Sequence, residues 1–207
     1  MTLKIDWATH EATKYACTHW HYSRCVPVGK LIKVGAWEDG KFIGVVIFSR
    51  GANKSIGSPY NLTQFECCEL TRVAMRPHKC FVSQVLAEAI RFLKTKCPKM
   101  QLIISYADIE QGHHGGIYQA TNWIYEGKTV GARYFIVNGK KMHPKSLYSL
   151  YKHKYSDFKQ SVEWVRKYVD ANASTYYDKG KHKYLFPLTK EMKKKVSVLQ
   201  KPYPKRK

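Results

Sequence analysis

The chain has 207 residues, 44% of them hydrophobic, and a net charge of +21. That length holds one good-sized domain, or a domain with an appendage. No run of about 18 apolar residues occurs, which argues against a transmembrane helix, and no signal sequence is visible in the mixed, strand-like start at Leu3–Trp7. A field of this sign favours polyanions such as nucleic acid, although a solubility surface or a ribosome-associated protein would carry it too. The excess is uneven. Residues 140–207 hold 19 Lys+Arg against 5 Asp+Glu, and residues 1–139 hold 17 against 10. None of the six cysteines falls in a Cys-x-x-Cys spacing, so reduced thiols and a cytoplasmic location are expected.

In chain order, Leu3–Trp7 alternates and reads as a strand, and residues 9–20 read as a helix with Thr9 as its cap. Residues 31–37 and 41–49 are strands about the turn Glu38-Asp39-Gly40. A Gly/Ser/Asn-rich loop at 51–59 precedes a strand at 65–75, which Arg76-Pro77 ends. The clearest helix is 83–96: Val82, Leu86, Ala89, Ile90 and Leu93 share a face, and Ser83 is placed to cap it. A buried strand at 101–106 leads into a loop and a short helix at 116–122. Strands follow at 124–125 and 134–137, the second turning at Asn138-Gly139. Helices are expected at 143–151 and 156–169, a last strand at 184–188, and a loosely ordered basic tail at 190–207.

The fold class this order implies is α/β (α+β): a single GNAT-like mixed sheet flanked by helices, with a basic C-terminal extension. The order alone is shared by many α+β domains. The division expected is a catalytic core at 1–140 and a basic region at 141–207 that completes the fold and contacts DNA.

Four places carry residues fit for chemistry. At His21-Tyr22, histidine is a base or a metal ligand and tyrosine a proton donor or iron ligand; packing at a helix end is the plainer alternative. In Glu69-Leu70-Thr71-Arg72, an arginine on a central strand needs a partner or a ligand, and its fork suits phosphate or carboxylate. A salt bridge to Glu66 or Glu69 would explain it equally well. The turn 76–83 leads into a helix N-terminus, where free N–H groups favour phosphates and Arg76, His78 and Lys79 add charge. A capped helix with a solvated loop is the alternative.

The most informative stretch is 105–123. Ligands in α/β sheets bind outside the carboxyl ends of strands, which is where Asp108, His113, His114 and Tyr118 fall. His113-His114 among glycines is hard to explain as core packing; a flexible binding loop is more natural. No His-Glu-x-x-His, Walker loop, Gly-x-Gly-x-x-Gly or Asp-Pro-Pro-Tyr motif is present.

The chain resembles the Mom family of bacteriophage DNA-modification proteins. The resemblance rests on His21-Tyr22-Ser23-Arg24, Glu69-Leu70-Thr71-Arg72, Ser83, Tyr106-Ala107-Asp108, and Gly112-His113-His114-Gly115-Gly116-Ile117-Tyr118-Gln119-Ala120 with Asn122-Trp123. It covers roughly residues 15–140 and, more loosely, the rest of the chain. It implies a divergent GNAT fold, conversion of DNA adenine to its N6-carbamoylmethyl (methylcarbamoyl) form, escape from host restriction, and dependence on iron. It also implies catalytic and metal-binding roles for His21, Tyr22, Asp108 and Tyr118 and contact of Arg72 and Ser83 with an acyl-CoA-type donor; from the loop itself, His113 and His114 are expected to make loop contacts. One departure stands out: ordinary GNAT enzymes have a glycine-rich turn where this chain has Arg76-Pro77-His78-Lys79-Cys80-Phe81-Val82, which hinders close approach of a diphosphate. The expected partner is double-stranded DNA with a flipped adenine, gripped through Lys193, Lys194 and Lys195, with no membrane and with a homodimer left open. The competing readings are a conventional GNAT acyltransferase acting on RNA, protein or a small amine, and a non-catalytic DNA-binding protein.

Overall fold

The computed structural model describes every residue except Met1, Ala52, Lys54, Arg206 and Lys207. The first half runs β1 (Leu3–Trp7), α1 (His10–Trp20), β2 (Leu31–Glu38), β3 (Lys41–Ser49), β4 (Cys67–Met75), α2 (Val82–Lys96) and β5 (Leu102–Asp108). The second half runs α3 (Gly116–Gln119), β6 (Ile124–Lys128), β7 (Arg133–Val137), β8 (Lys140–Met142), α4 (Pro144–Tyr151), α5 (Val162–Tyr168), β9 (Ser174–Tyr177), β10 (Lys181–Pro187) and α6 (Lys190–Ser197).

Seven strands form one mixed sheet in the order β1-β2-β3-β4-β5-β10-β6. The first four are an antiparallel meander, and β4 lies parallel to β5. The β2–β3 turn has Asp39 and Gly40 both at positive φ, the backbone a two-residue hairpin of matching twist requires. β3 is apolar on both faces because both are covered. Val46 and Phe48 pack with Leu86, Ala89 and Leu93 of α2, and Val45 and Ile47 with Ala16 and Cys17 of α1. This is the mixed sheet flanked by helices that the sequence implied.

Two irregularities position the site. The parallel ladder runs only from Cys67↔Leu102 to Leu70↔Ser105, after which β4 and β5 part. At the same level β4 is bulged: Phe48 pairs with Leu70 and Ile47 with Arg72, leaving Thr71 without an opposite residue. A bulge switches the alternation of side chains. Leu70 therefore packs on the α2 side and Ala74 on the α1 side, and Arg72 shares the face of Ala74.

The chain forms two compact units. The first comprises residues 1–107, 113–127 and 182–207, and the second residues 108–112 and 128–181. The second contains a three-stranded sheet in the order β8-β7-β9, of which the sequence indicated β7 and its turn at Asn138-Gly139 but not β9. One face of β7 presents Phe135 and Val137 to a core with Leu147 of α4 and Trp164 and Val165 of α5. A cut after residue 140 falls inside this second unit, within β8.

Three expectations are corrected. The helix expected at 156–169 is limited to Val162–Tyr168, because the Ser161 side chain accepts from the Trp164 N–H and starts the helix there. Ser83 does not cap α2: Phe81 holds the cap position and Ser83 lies in the first turn. The tail is not loosely ordered through 190–197. Thr189 caps α6, and Met192 and Val196, one turn apart, are buried in a core cluster with Leu185 and Leu102. Charge masked a two-residue apolar stripe.

Candidate active site

α1 ends where His21 leaves the helix in an extended conformation. The His21 ring is fixed by Ser23, whose backbone N–H donates to Nδ1 at 3.1 Å and whose Oγ lies 2.8 Å from the same nitrogen. A backbone N–H can only donate, so Nδ1 accepts and the single proton of neutral imidazole sits on Nε2. Burial, reinforced by the Arg72 guanidinium and by His113, pulls the His21 pKa down to about 4. At neutral pH this ring is an uncharged Nε2–H donor. Tyr22 lies against it, ring centroids 4.3 Å apart, and His113 meets Tyr22 edge-on at 5.5 Å.

Arg72 reaches this group because of the bulge. Its Nη1 donates to the Thr71 carbonyl at 2.8 Å, and its Nε is buried without a hydrogen-bond partner. A buried unpaired N–H is costly, so the guanidinium is suited to an anionic or carbonyl ligand. Tyr118 is buried in α3, its hydroxyl 2.8 Å from Ser105 Oγ, and Ser105 donates to the Leu70 carbonyl at 2.9 Å. Burial holds the Tyr118 phenol protonated, with its pKa pushed up to about 12; Tyr22, Glu69 and Tyr184 act on it in the same direction. Within the first unit the structure thus gathers His21, Tyr22, Arg72, His113 and Tyr118.

The glycine loop is held from a distance. Tyr184 of β10 donates to the His114 carbonyl at 2.5 Å, and Gln119 Nε2 donates to the Tyr184 hydroxyl and to the same carbonyl, each at 3.1 Å. A Cβ on Gly115 (φ +84°) would lie 2.4 Å from the Tyr184 ring, so glycine is required there twice over. The C-terminal segment straps the same region: Tyr203 donates to the Trp123 carbonyl at 2.6 Å, and Gln119 reaches the Pro204 carbonyl at 3.4 Å. Sequence reasoning missed Ser23, Ser105, Gln119, Tyr184 and Tyr203. Ser23 and Gln119 lay within quoted motifs; nothing local marks Tyr184 or Tyr203.

The other expected residues stand elsewhere. Asp108 ends β5 and belongs to the second unit, where its carboxylate accepts the Glu110 N–H at 3.0 Å. His114 contributes its carbonyl to the loop brace. Ser83 lines a cavity of about 660 Å³ with Phe81, Arg91, Lys94, Asn122 and Phe186, a usual size for a small-molecule site; Arg72 is not among its walls. Lys193 and Lys194 project from α6, whereas Lys195 donates to the Tyr60 carbonyl at 2.6 Å.

The residues present do not fit the implied iron. A histidine that binds metal through Nε2 donates its Nδ1–H to a second partner, but Nδ1 of His21 accepts. Tyr118 is buried as a phenol on Ser105, and no three His, Cys, Asp or Glu among the described residues are placed to hold a metal ion. The acyl-CoA-type donor fits in part: the Ser83 cavity offers room and two cations, while the turn before α2 is already engaged by a carboxylate.

A sequence model of the Mom protein family matches residues 2–205. The chain belongs to the Mom protein family. No curated protein matches it. Among solved structures, this Mom family member is similar to the N-acetyltransferase PseH of Campylobacter jejuni in complex with acetyl coenzyme A (14% identity, 78% of this chain and 71% of that one, TM-score 0.38). It is also similar to a probable acetyltransferase of Staphylococcus epidermidis (8% identity, 91% and 100%, TM-score 0.48) and to an N-acetyltransferase of Staphylococcus aureus (10% identity, 91% and 99%, TM-score 0.46). No helix among the described residues is long and apolar enough to cross a membrane.

Proposed function

We propose that this Mom family protein is a phage transferase that converts adenine in DNA to N6-carbamoylmethyladenine and so shields the DNA from host restriction. The observation that carries the reading is the meeting of His21, Tyr22, Arg72, His113 and Tyr118 in a member of this family. The net charge of +21 supports a polyanionic substrate.

In the reaction the adenine N6 forms a bond to carbon, the donor's leaving group departs with the bonding electron pair, and N6 gives up a proton. The target amine is reached only in a flipped or single-stranded nucleotide. Exposed Tyr22 offers a ring for the displaced base. Neutral His21 presents Nε2–H to an oxygen on which charge develops, as a preorganised donor does. Arg72 directs its unpartnered Nε–H at a carbonyl or anionic group of the donor. Tyr118 holds the floor of the site through Ser105. The N6 proton passes to solvent; Asp108 is proposed to be required on the strength of the Mom resemblance, and Lys193 and Lys194 are the proposed backbone contacts.

The test is nucleoside mass spectrometry on DNA from cells expressing the protein, with Asp108→Ala and His21→Ala as controls. The expected result is a heavier deoxyadenosine derivative that both variants lose. Unmodified deoxyadenosine from cells holding soluble, folded protein would transfer the reading to a GNAT acyltransferase with another acceptor.

A further inference from the structure

In α/β folds the backbone amides between a strand and the following helix are the usual seat of a phosphate. Here the corresponding turn, residues 76–81 between β4 and α2, has no glycine, and two of its amides are spoken for. Glu38, the last residue of β2, accepts the Cys80 N–H at 2.6 Å and the Lys79 N–H at 3.0 Å. Its side chain is buried, and those bonds, the Lys79 and Cys80 N–H groups foremost, hold the carboxyl below its usual range. A buried carboxylate is tolerable only when it is satisfied in this way. The turn has little freedom to turn its amides outward, because Cys80 is itself buried in the core with Leu86 and Val34. On the neighbouring surface of α2 lies the cavity walled by Phe81, Ser83, Arg91 and Lys94.

We infer that Glu38 is a resident anion that occupies the phosphate seat of the turn before α2, so that a diphosphate-bearing donor is held by the side chains of the Ser83 cavity and not by that turn. Glu38 is then a specificity-determining residue. It excludes phosphate from the Lys79 and Cys80 amides by occupying both donors and by like charge. Ser83 and Lys94 are the remaining phosphate partners, Arg91 being paired with Glu88, and exposed Phe81 offers a ring at the cavity wall for an adenine. The inference concerns the donor alone and stands or falls without the DNA reading.

The experiment is titration of the ¹⁵N-labelled full chain with ADP, and separately with coenzyme A, in buffer of physiological ionic strength to suppress diffuse binding to a basic protein. The expected result is saturable movement of the Ser83 and Lys94 amide signals while those of Lys79 and Cys80 stay in place. In Glu38→Gln, which keeps one acceptor but removes the charge, ADP should bind at least tenfold more tightly and the Lys79 and Cys80 signals should now move. Saturable movement of the Lys79 and Cys80 amides in the wild-type protein overturns the inference, as does ADP affinity in a folded Glu38→Gln no higher than wild type. Absence of any shift at Ser83 and Lys94 in the wild-type protein overturns it as well. If Glu38→Gln does not fold, the wild-type titration decides alone.

Discussion

Two loops follow the parallel strands β4 and β5, and each leads into a helix, yet they are braced in opposite senses. The loop at 112–116 is tied by its acceptor: Tyr184 and Gln119 both donate to the His114 carbonyl. The turn at 76–81 is tied by its donors, because Glu38 takes the Lys79 and Cys80 amides. The brace determines what each segment has left to offer a ligand. The first keeps its histidines, and so can serve chemistry. The second has lost the amides that would have gripped a phosphate. The glycines follow the same division: Gly112 and Gly115 have positive φ, while residues 76–81 contain none.

The sharpest way to break the first loop is Gly115→Ala. It combines a left-handed backbone that costs about 1–3 kcal/mol for a non-glycine residue with a Cβ pressed on Tyr184, which adds a similar overpacking cost. Expected are a thermal midpoint lowered by roughly 5–15 °C and loss of adenine modification, read by calorimetry and nucleoside mass spectrometry. Tyr184→Phe is the milder version. It removes one hydroxyl and leaves the His114 carbonyl with Gln119 alone, for about 1–2 kcal/mol. Modification should fall several-fold while the fold persists; unchanged activity would show that the brace does not position the site.

His21 sets the pH response of the same region. Its folded pKa, about 4, lies below the unfolded value near 6.5, so the unfolded chain binds the extra proton. The stability associated with neutral His21 is therefore complete above about pH 6.5 and declines as pH falls towards 4. His21→Gln should flatten that part of a denaturation-against-pH profile relative to wild type. An identical slope in both proteins would mean that His21 titrates normally.

The smallest effects are expected on α6, and they separate its three lysines. Lys193→Glu and Lys194→Glu should weaken DNA binding and reduce its salt slope by about one for each phosphate that is no longer neutralised, with thermal stability unchanged. Lys195→Glu should also cost stability, since it removes the bond to the Tyr60 carbonyl. Equal salt slopes in all variants would remove α6 from the DNA surface.

Periodicity and turn chemistry made most of the main sheet and its two packed helices legible, because α1, β3 and α2 bury faces that repeat at helical or strand spacing and Asp39-Gly40 permits a specific turn. Motifs likewise marked His21, Tyr22, His113 and Tyr118 before any geometry was known. The rest depended on residues far apart in the chain. A single extra residue in β4 turns Arg72 to the α1 face, and no alternation of side chains foretells a bulge. Glu38 and Lys79 are 41 residues apart, and Tyr184 and His114 are 70 apart. The basic tail concealed Met192 and Val196, whose burial waited on a surface built by other strands. Local pattern determined the elements and the candidate chemical groups of this protein. Only the tertiary structure decided which backbone donors and acceptors remain free for a ligand, because that depends on which distant side chain reaches them first.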